Sequence, residues 1–326
     1  MKNYKTLTCI AAIAFSPSVS WAGQGVPINY DSLSFAEEPL AVELGPATLS
    51  ANILLDQAAQ YNTSSEEDTY NTRAIGDLSL QLQLPNSWLV TANYVANYNR
   101  LADDEYTDNM ALSISDEWGT LAGGNVTGSV REKTRRKRGV GNAALANDDF
   151  LGTLDETGGF YAVRYNSYEA SVTADMEGRA EAGLSFARPI GKSSYFLSAR
   201  ARRGNTSENG NLGQDADTYG TAIVAEYAFA SFLIDTQIGY ENVDFANSDN
   251  KNDHIFGSLG TQYKTGAYSF SIEGGTGRYD GDDRHAASAG ARADIARGAS
   301  LNLGVNYVHA DDDDDTTSLV SIRYEM

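Results

Sequence analysis

Cysteine is nearly absent from this chain: one in 326 residues, at Cys9. That excludes a disulfide framework and a zinc site built on cysteines. Positive charge is scarce as well. Lys plus Arg number 24 against 44 Asp plus Glu, a formal net charge of −20, whereas a general nucleic-acid binder needs a basic surface. After residue 22 no run approaches the ~20 apolar residues of a membrane-spanning helix. Proline is rare, at 6 residues, while Tyr reaches 19 and Gly 31, a composition too ordered for a disordered chain. Mean hydropathy is −0.38. A large soluble globule fits these figures, and so does a membrane β-barrel, whose alternating apolar residues escape a hydropathy window.

Residues 1–22 read as an export signal. Lys2 and Lys5 form a basic head, Leu7 to Phe15 a short apolar middle, and Ser20-Trp21-Ala22 a small-x-small cleavage site. Cleavage after Ala22 removes Cys9 and takes the net charge from −20 to −22. Residues 23–46 precede the first clear strand. Within them Leu40-Ala41-Val42-Glu43-Leu44 reads as an extra strand, a periplasmic arm or a subunit contact.

From residue 47 to 326 the chain is written in period two. Leu78, Leu80, Leu82 and Leu84 alternate with Asp77, Ser79, Gln81 and Gln83. Phe232, Ile234, Ile238 and Tyr240 alternate with Asp235, Gln237, Gly239 and Glu241. This is strand periodicity with one apolar and one polar face. Sixteen strands are predicted, the first near 47–56 and the last near 316–326. Tight turns such as Pro85-Asn86-Ser87 and Thr265-Gly266 alternate with longer acidic connections, including 57–72, 100–108, 205–217 and 311–315. An even strand number with long and short connections in alternation is the outer-membrane barrel pattern. Trp88, Tyr161, Tyr195, Tyr240, Tyr263 and Tyr307 fall near strand ends, as aromatic girdles require. A soluble sandwich is the competing fold, but sixteen strands is many for one domain. A solenoid would show a fixed short repeat.

Acid gathers in the predicted loops, at Glu66-Glu67-Asp68, Asp103-Asp104-Glu105, Asp282-Asp283 and Asp311 to Asp315. These carboxylates either bridge Ca²⁺ or Mg²⁺ to anionic lipid headgroups or simply form solvated, self-repelling loops. The longest connection, 125–157, breaks the acidic rule. It carries Arg131, Lys133, Arg135, Arg136, Lys137 and Arg138, followed by Asp148 and Asp149. Strand parity also places Arg73, Arg164, Arg200, Arg202 and Arg292 on the polar face.

The signal segment, the Trp118-Gly119-Thr120-Leu121 step into a short strand ending Gly123-Gly124, and a long third loop after strand five resemble a Gram-negative general porin of the alphaproteobacterial kind. The resemblance spans about 47–326, with its specific motif at 118–152. It implies an all-β, 16-stranded antiparallel transmembrane barrel in the outer membrane, with the third loop folded inward to narrow the pore. It also implies a homotrimer among lipid and lipopolysaccharide, passive diffusion of small hydrophilic solutes and ions, and no cofactor. Charges on the loop and facing wall would then bias which ions enter. The basic run is thus expected either to line a cationic eyelet, with Asp148 and Asp149 as the opposite pole, or to contact neighbouring loops or lipopolysaccharide. Two features depart from the family. Its members usually carry acid on the loop and base on the wall, and they end in an aromatic residue where this chain has Met326.

No Gly-x-Ser-x-Gly or His-Glu-x-x-His occurs, and no nucleophile pairs with His254, His285 or His309, which fall near predicted rims as solvent-facing residues. An enzyme is not expected. The rival functions are a substrate-specific anion channel using the arginines, and a structural or adhesive barrel with a plugged lumen.

Overall fold

The computed structural model describes residues 40–325 apart from 101–104, 127, 137–138, 142, 144, 146–148, 155–156, 207–214, 246–250 and 311–312. Residues 1–39, and with them the predicted signal segment, lie outside the described residues. The period-two segments form strands: β1 (Leu40–Leu44), β2 (Ala47–Asn62), β3 (Glu67–Gln83), β4 (Leu89–Asn99), β5 (Glu105–Asp116) and β6 (Gly119–Asn125). After a long connection come β7 (Thr157–Tyr165), β8 (Tyr168–Asp175), β9 (Ala180–Ile190), β10 (Ser193–Thr206) and β11 (Ala216–Phe229). The series ends with β12 (Phe232–Phe245), β13 (Lys251–Thr265), β14 (Tyr268–Tyr279), β15 (Asp282–Ala296), β16 (Ala299–Ala310) and β17 (Asp313–Glu325).

From β2 to β17 each strand pairs antiparallel with the next. β17 then returns to β2, from Thr317 opposite Asn62 to Glu325 opposite Leu54, and the sheet closes into a sixteen-stranded barrel. Closure satisfies backbone groups that an open edge would leave bare in lipid. β1 pairs with the remaining stretch of the same edge of β2, from Leu40 opposite Ala51 to Leu44 opposite Ala47. It carries on along the line that β17 leaves at Glu325.

The two faces are inverted relative to a soluble protein. Ile223, Ile238 and Ile272 are more than half exposed, while Thr218, Gln237 and Glu241 on the opposite face are almost fully buried. An apolar exterior and a polar interior are what lipid outside and water inside select. Aromatic pairs collect at the tight-turn end: Trp88 with Trp118 at 6.1 Å, Trp118 with Tyr161 at 6.2 Å, Tyr195 with Tyr227 at 4.9 Å and Phe232 with Tyr263 at 4.5 Å. At the other end outward tyrosines donate to carboxylates, Tyr240 to Asp253 and Tyr307 to Asp314, both at 2.6 Å.

All sixteen predicted strands are present, but several connections are shorter than predicted. The 57–72 connection shrinks to 63–66 because Asn62 pairs with Glu67. Likewise β5 begins at Glu105, β10 runs to Thr206 and β17 starts at Asp313. Glu67, Asp68, Asp282, Asp283 and Asp313 to Asp315 are therefore strand residues rather than loop residues. Past the lipid band no apolar face is required, so alternation fades while ladder pairing continues to satisfy the backbone.

Candidate pore constriction

The connection from β6 to β7 leaves the wall at Gly124, whose φ is +114°. A side chain at that position would run into the Met110 carbonyl and the Ala111 backbone, so only glycine allows the departure. A short helix follows, α1 (Ser129–Thr134), with Ser129, Val130 and Thr134 buried. Val126 and Val130 pack with Ala111, Ala122, Phe160 and Ala162, which face inward from β5, β6 and β7. Ser198 of β10 donates to the Thr134 carbonyl at 2.6 Å, satisfying one of the open acceptors at the helix end.

Three cations of the basic run, Lys133, Arg135 and Arg136, then meet the wall. Lys133 pairs with Glu169 of β8 at 2.9 Å, and Arg135 with Glu226 of β11 at 3.6 Å. Arg136 pairs with Glu273 of β14 at 3.3 Å, both side chains under 5 % exposed. The Val140 N–H donates to Ser271 at 2.9 Å. On the returning leg Asp149 pairs with Arg131 at 3.3 Å and with Arg200. Glu181 of β9 takes Arg200 at 3.3 Å and Arg202 at 3.1 Å. Both guanidinium groups lie over the Phe150 ring, at 4.6 and 5.2 Å. Burial pushes the Asp149 carboxyl up. Arg200, Arg131 and Arg202, with the Phe150 N–H, outweigh it and hold the carboxyl below the ordinary carboxylate range.

The loop is thus fastened inside the barrel along the wall from β8 to β14. Arg131, Asp149, Arg200 and Arg202 come together in one cluster with Glu181, while Lys133, Arg135 and Arg136 reach separate strands of the same wall. Each of these described cations lies against a carboxylate, with Arg131, Arg200 and Arg202 sharing Asp149 and Glu181. Along the outgoing leg the layout puts base on the loop and acid on the wall, whereas on the returning leg the loop's Asp149 meets the wall's Arg200. Three sequence-selected arginines lie elsewhere. Arg292 pairs with Asp294 on its own strand at 2.8 Å. Arg164 is exposed and donates to the Asn166 carbonyl at 3.4 Å in the adjoining turn. Arg73 sits on β3, opposite Asp56 of β2, and Arg323 of β17 pairs with that Asp56 at 2.9 Å. Lys137, Arg138 and Asp148 lie outside the described residues.

Sequence reasoning put Glu241 on a polar face but passed over Glu169, Glu181, Glu226 and Glu273, although parity puts them on the polar face too. His254 corrects an expectation: it is fully buried rather than solvent-facing, because its parity also points inward. His285 and His309 stack outside, 6.0 Å apart. Among the described residues no group of three or more His, Asp or Glu is arranged to hold a metal ion.

No family model matches the chain, and no curated protein does. Solved structures do. OmpT of Vibrio cholerae, an outer membrane protein folded in vitro and described in a trimer form, superposes with a TM-score of 0.68 at 12% identity, covering 86% of this chain and 100% of its own. An anion-selective porin from Comamonas acidovorans gives 0.67 at 11% identity, covering 86% and 100%. The fold is that of an outer-membrane β-barrel. A Rh. blastica porin mutant agrees, with a TM-score of 0.56 at 14% identity over 85% of this chain and 100% of its own. The chain is a β-barrel of the outer-membrane type, with its apolar band toward lipid.

Proposed function

We propose that the protein is a general diffusion porin of the outer membrane. It admits small hydrophilic solutes and ions down their gradients, through a lumen narrowed by residues 125–157. The observation that carries this reading is the loop itself, held inside a closed, polar-lined barrel by ion pairs from successive wall strands. A charge lattice of this kind in a channel with low-dielectric walls shapes ion entry without a binding step. The reading includes a homotrimer, as in the trimer form described for the Vibrio cholerae protein, with lipid and lipopolysaccharide as neighbours. It needs no cofactor and no catalysis. Ca²⁺ or Mg²⁺ enters only as a bridge between outer carboxylates such as Asp253 and Asp314 and anionic headgroups.

A channel specific for one anion would need guanidinium groups open to the solute. Arg200 and Arg202 are already engaged by Glu181 and Asp149, which favours the general porin. Planar-bilayer recording of the purified folded protein tests this. Steady conductance that rises with salt without saturating is expected. Block by one particular anion would favour the specific channel, and folded protein without conductance would leave a structural barrel.

A further inference from the structure

The loop's described contacts run round the barrel from β5 to β16. Its helix packs on β5, β6 and β7, and its cations reach β8 to β14. At the tip, Gly141 stands against the backbone of Ala291 in β15 and Leu303 in β16, and the Val140 carbonyl against Gly290. The returning leg gives the Leu151 and Gly152 N–H groups to Glu241 of β12, at 2.6 and 3.0 Å. The remaining arc of wall, from β17 through β2 to β4, has its own inner chemistry. Leu54, Ile75 and Val95 form an apolar cluster there, and Asp77 lies beside it.

Asp77 is 8% exposed and shares the inner face of β3 with Ile75 and Ser79. Its side-chain hydrogen bond comes from Asn52, directly opposite on β2. It has no ion-pair partner among the described residues, and its Oδ1 accepts no hydrogen bond. The cation on the same strand face, Arg73, is four residues away, about 13 Å along the strand. Across from Asp77 on β4 is Val95, flanked by Asn93 and Asn97. Both asparagines are more than nine-tenths buried. The Oδ1 of each, like the Ser79 hydroxyl, has no hydrogen-bond partner. A carboxylate beside apolar side chains is costly without countercharge, and no described side chain supplies it. Diagonal neighbours in a sheet stand about 7–8 Å apart, which leaves room for one small ion between the side-chain oxygens of Asp77, Asn93 and Asn97.

We propose that the inner face of β3 and β4 around Asp77 is a binding site for a small monovalent cation, taken by the Asp77 carboxylate with the side-chain oxygens of Ser79, Asn93 and Asn97. One carboxylate among neutral oxygens fits a hard ion of single charge, whereas calcium sites gather several carboxylates. The site sets a cation-attracting charge on the arc of wall that the loop's ion pairs do not occupy, so the passage favours cations over anions. This deepens the porin reading and rests on it for the word passage. Ion binding at Asp77 has a readout of its own.

Two measurements on the purified folded protein test it. One is thermal unfolding in neutral detergent, in sodium chloride against N-methylglucamine chloride at equal ionic strength. The other is the reversal potential across a salt gradient in a planar bilayer. The parent should unfold at a higher temperature in sodium chloride, since an ion that binds the folded state alone stabilises it, and its reversal potential should favour cations. Asp77→Asn keeps the side-chain shape. It should unfold at the same temperature in both salts and lose the cation preference. Asn93→Leu changes no charge and should lose the sodium shift too, which separates a coordinating site from the general field of a carboxylate. Equal unfolding temperatures for the parent in the two salts mean ordinary hydration of these oxygens and overturn the proposal. A sodium shift or an unchanged reversal potential in folded Asp77→Asn overturns it as well. A shift in calcium chloride alone overturns the monovalent assignment. A parent with the sodium shift but no conductance keeps the site and overturns the porin reading.

Discussion

At the scale of single residues, Lys133, Arg135 and Arg136 of the basic run each pair with a different wall glutamate. Arg136 and Glu273 are both buried, so breaking the pair leaves an uncompensated charge, which typically costs about 3–5 kcal/mol. Arg136→Glu is expected to destabilise the barrel by that order and to shift the reversal potential toward cations. The exchange Arg136→Glu with Glu273→Arg should recover most of both, read by thermal unfolding and bilayer recording. Asp149 makes a prediction in pH. Its folded carboxyl titrates below the ordinary range, so its stabilisation is complete above the unfolded value of about 3.9 and fades as pH falls through the folded one. The melting difference between the parent and Asp149→Asn should be the same at pH 7 and pH 5, and should shrink below about pH 4. These residues were legible singly: parity showed Arg200 and Arg202 facing inward. Asp149 was offered as their opposite pole, but Glu181 was not, because it lies on another strand and a one-dimensional pattern carries no distance between them.

Among the elements, β1 has a defined task. β17 ends opposite Leu54, so the edge of β2 from Ala47 to Ala51 would be open without β1. An open edge leaves backbone groups unpaired and invites wrong pairing. Replacing Ala41 and Val42 together by proline removes at least one N–H that faces β2, since successive N–H groups alternate in direction. The folded barrel should then lose its compact electrophoretic form at a lower temperature than the parent. The sequence offered Leu40 to Leu44 as a strand, an arm or a contact. What separates these is the pairing of Leu40 to Leu44 with the Ala47–Ala51 edge of β2, and nothing within residues 40–44 encodes that partner.

For the whole molecule, the governing fact is that the solvent changes from one face to the other. Ile238 is two-thirds exposed on the outer face, next to Gln237, which is 1% exposed inside. Ile238→Lys puts a charge against lipid and should cost about 2–4 kcal/mol near the bilayer midplane, measured as a lowered urea midpoint for the barrel in lipid vesicles. Strand number, antiparallel order and the tight turns were all readable, because alternation and turn residues are local properties. The lengths of β2, β3 and β17 beyond the lipid were not, because there the pairing partner rather than side-chain polarity keeps the backbone extended.

By itself the sequence determined the barrel: lipid outside and water inside impose period two, and period two is written in the residues. It also determined that a basic loop would interrupt an acidic protein. The tertiary structure decided what that loop's charges do. Closure of the sheet carries Glu169, Glu181, Glu226, Glu241 and Glu273 onto one inner wall, and the loop's cations and backbone N–H groups settle on carboxylates tens of residues away. Electrostatic pairing weakens with distance and strengthens with burial, so partners of this kind exist only once the barrel has closed.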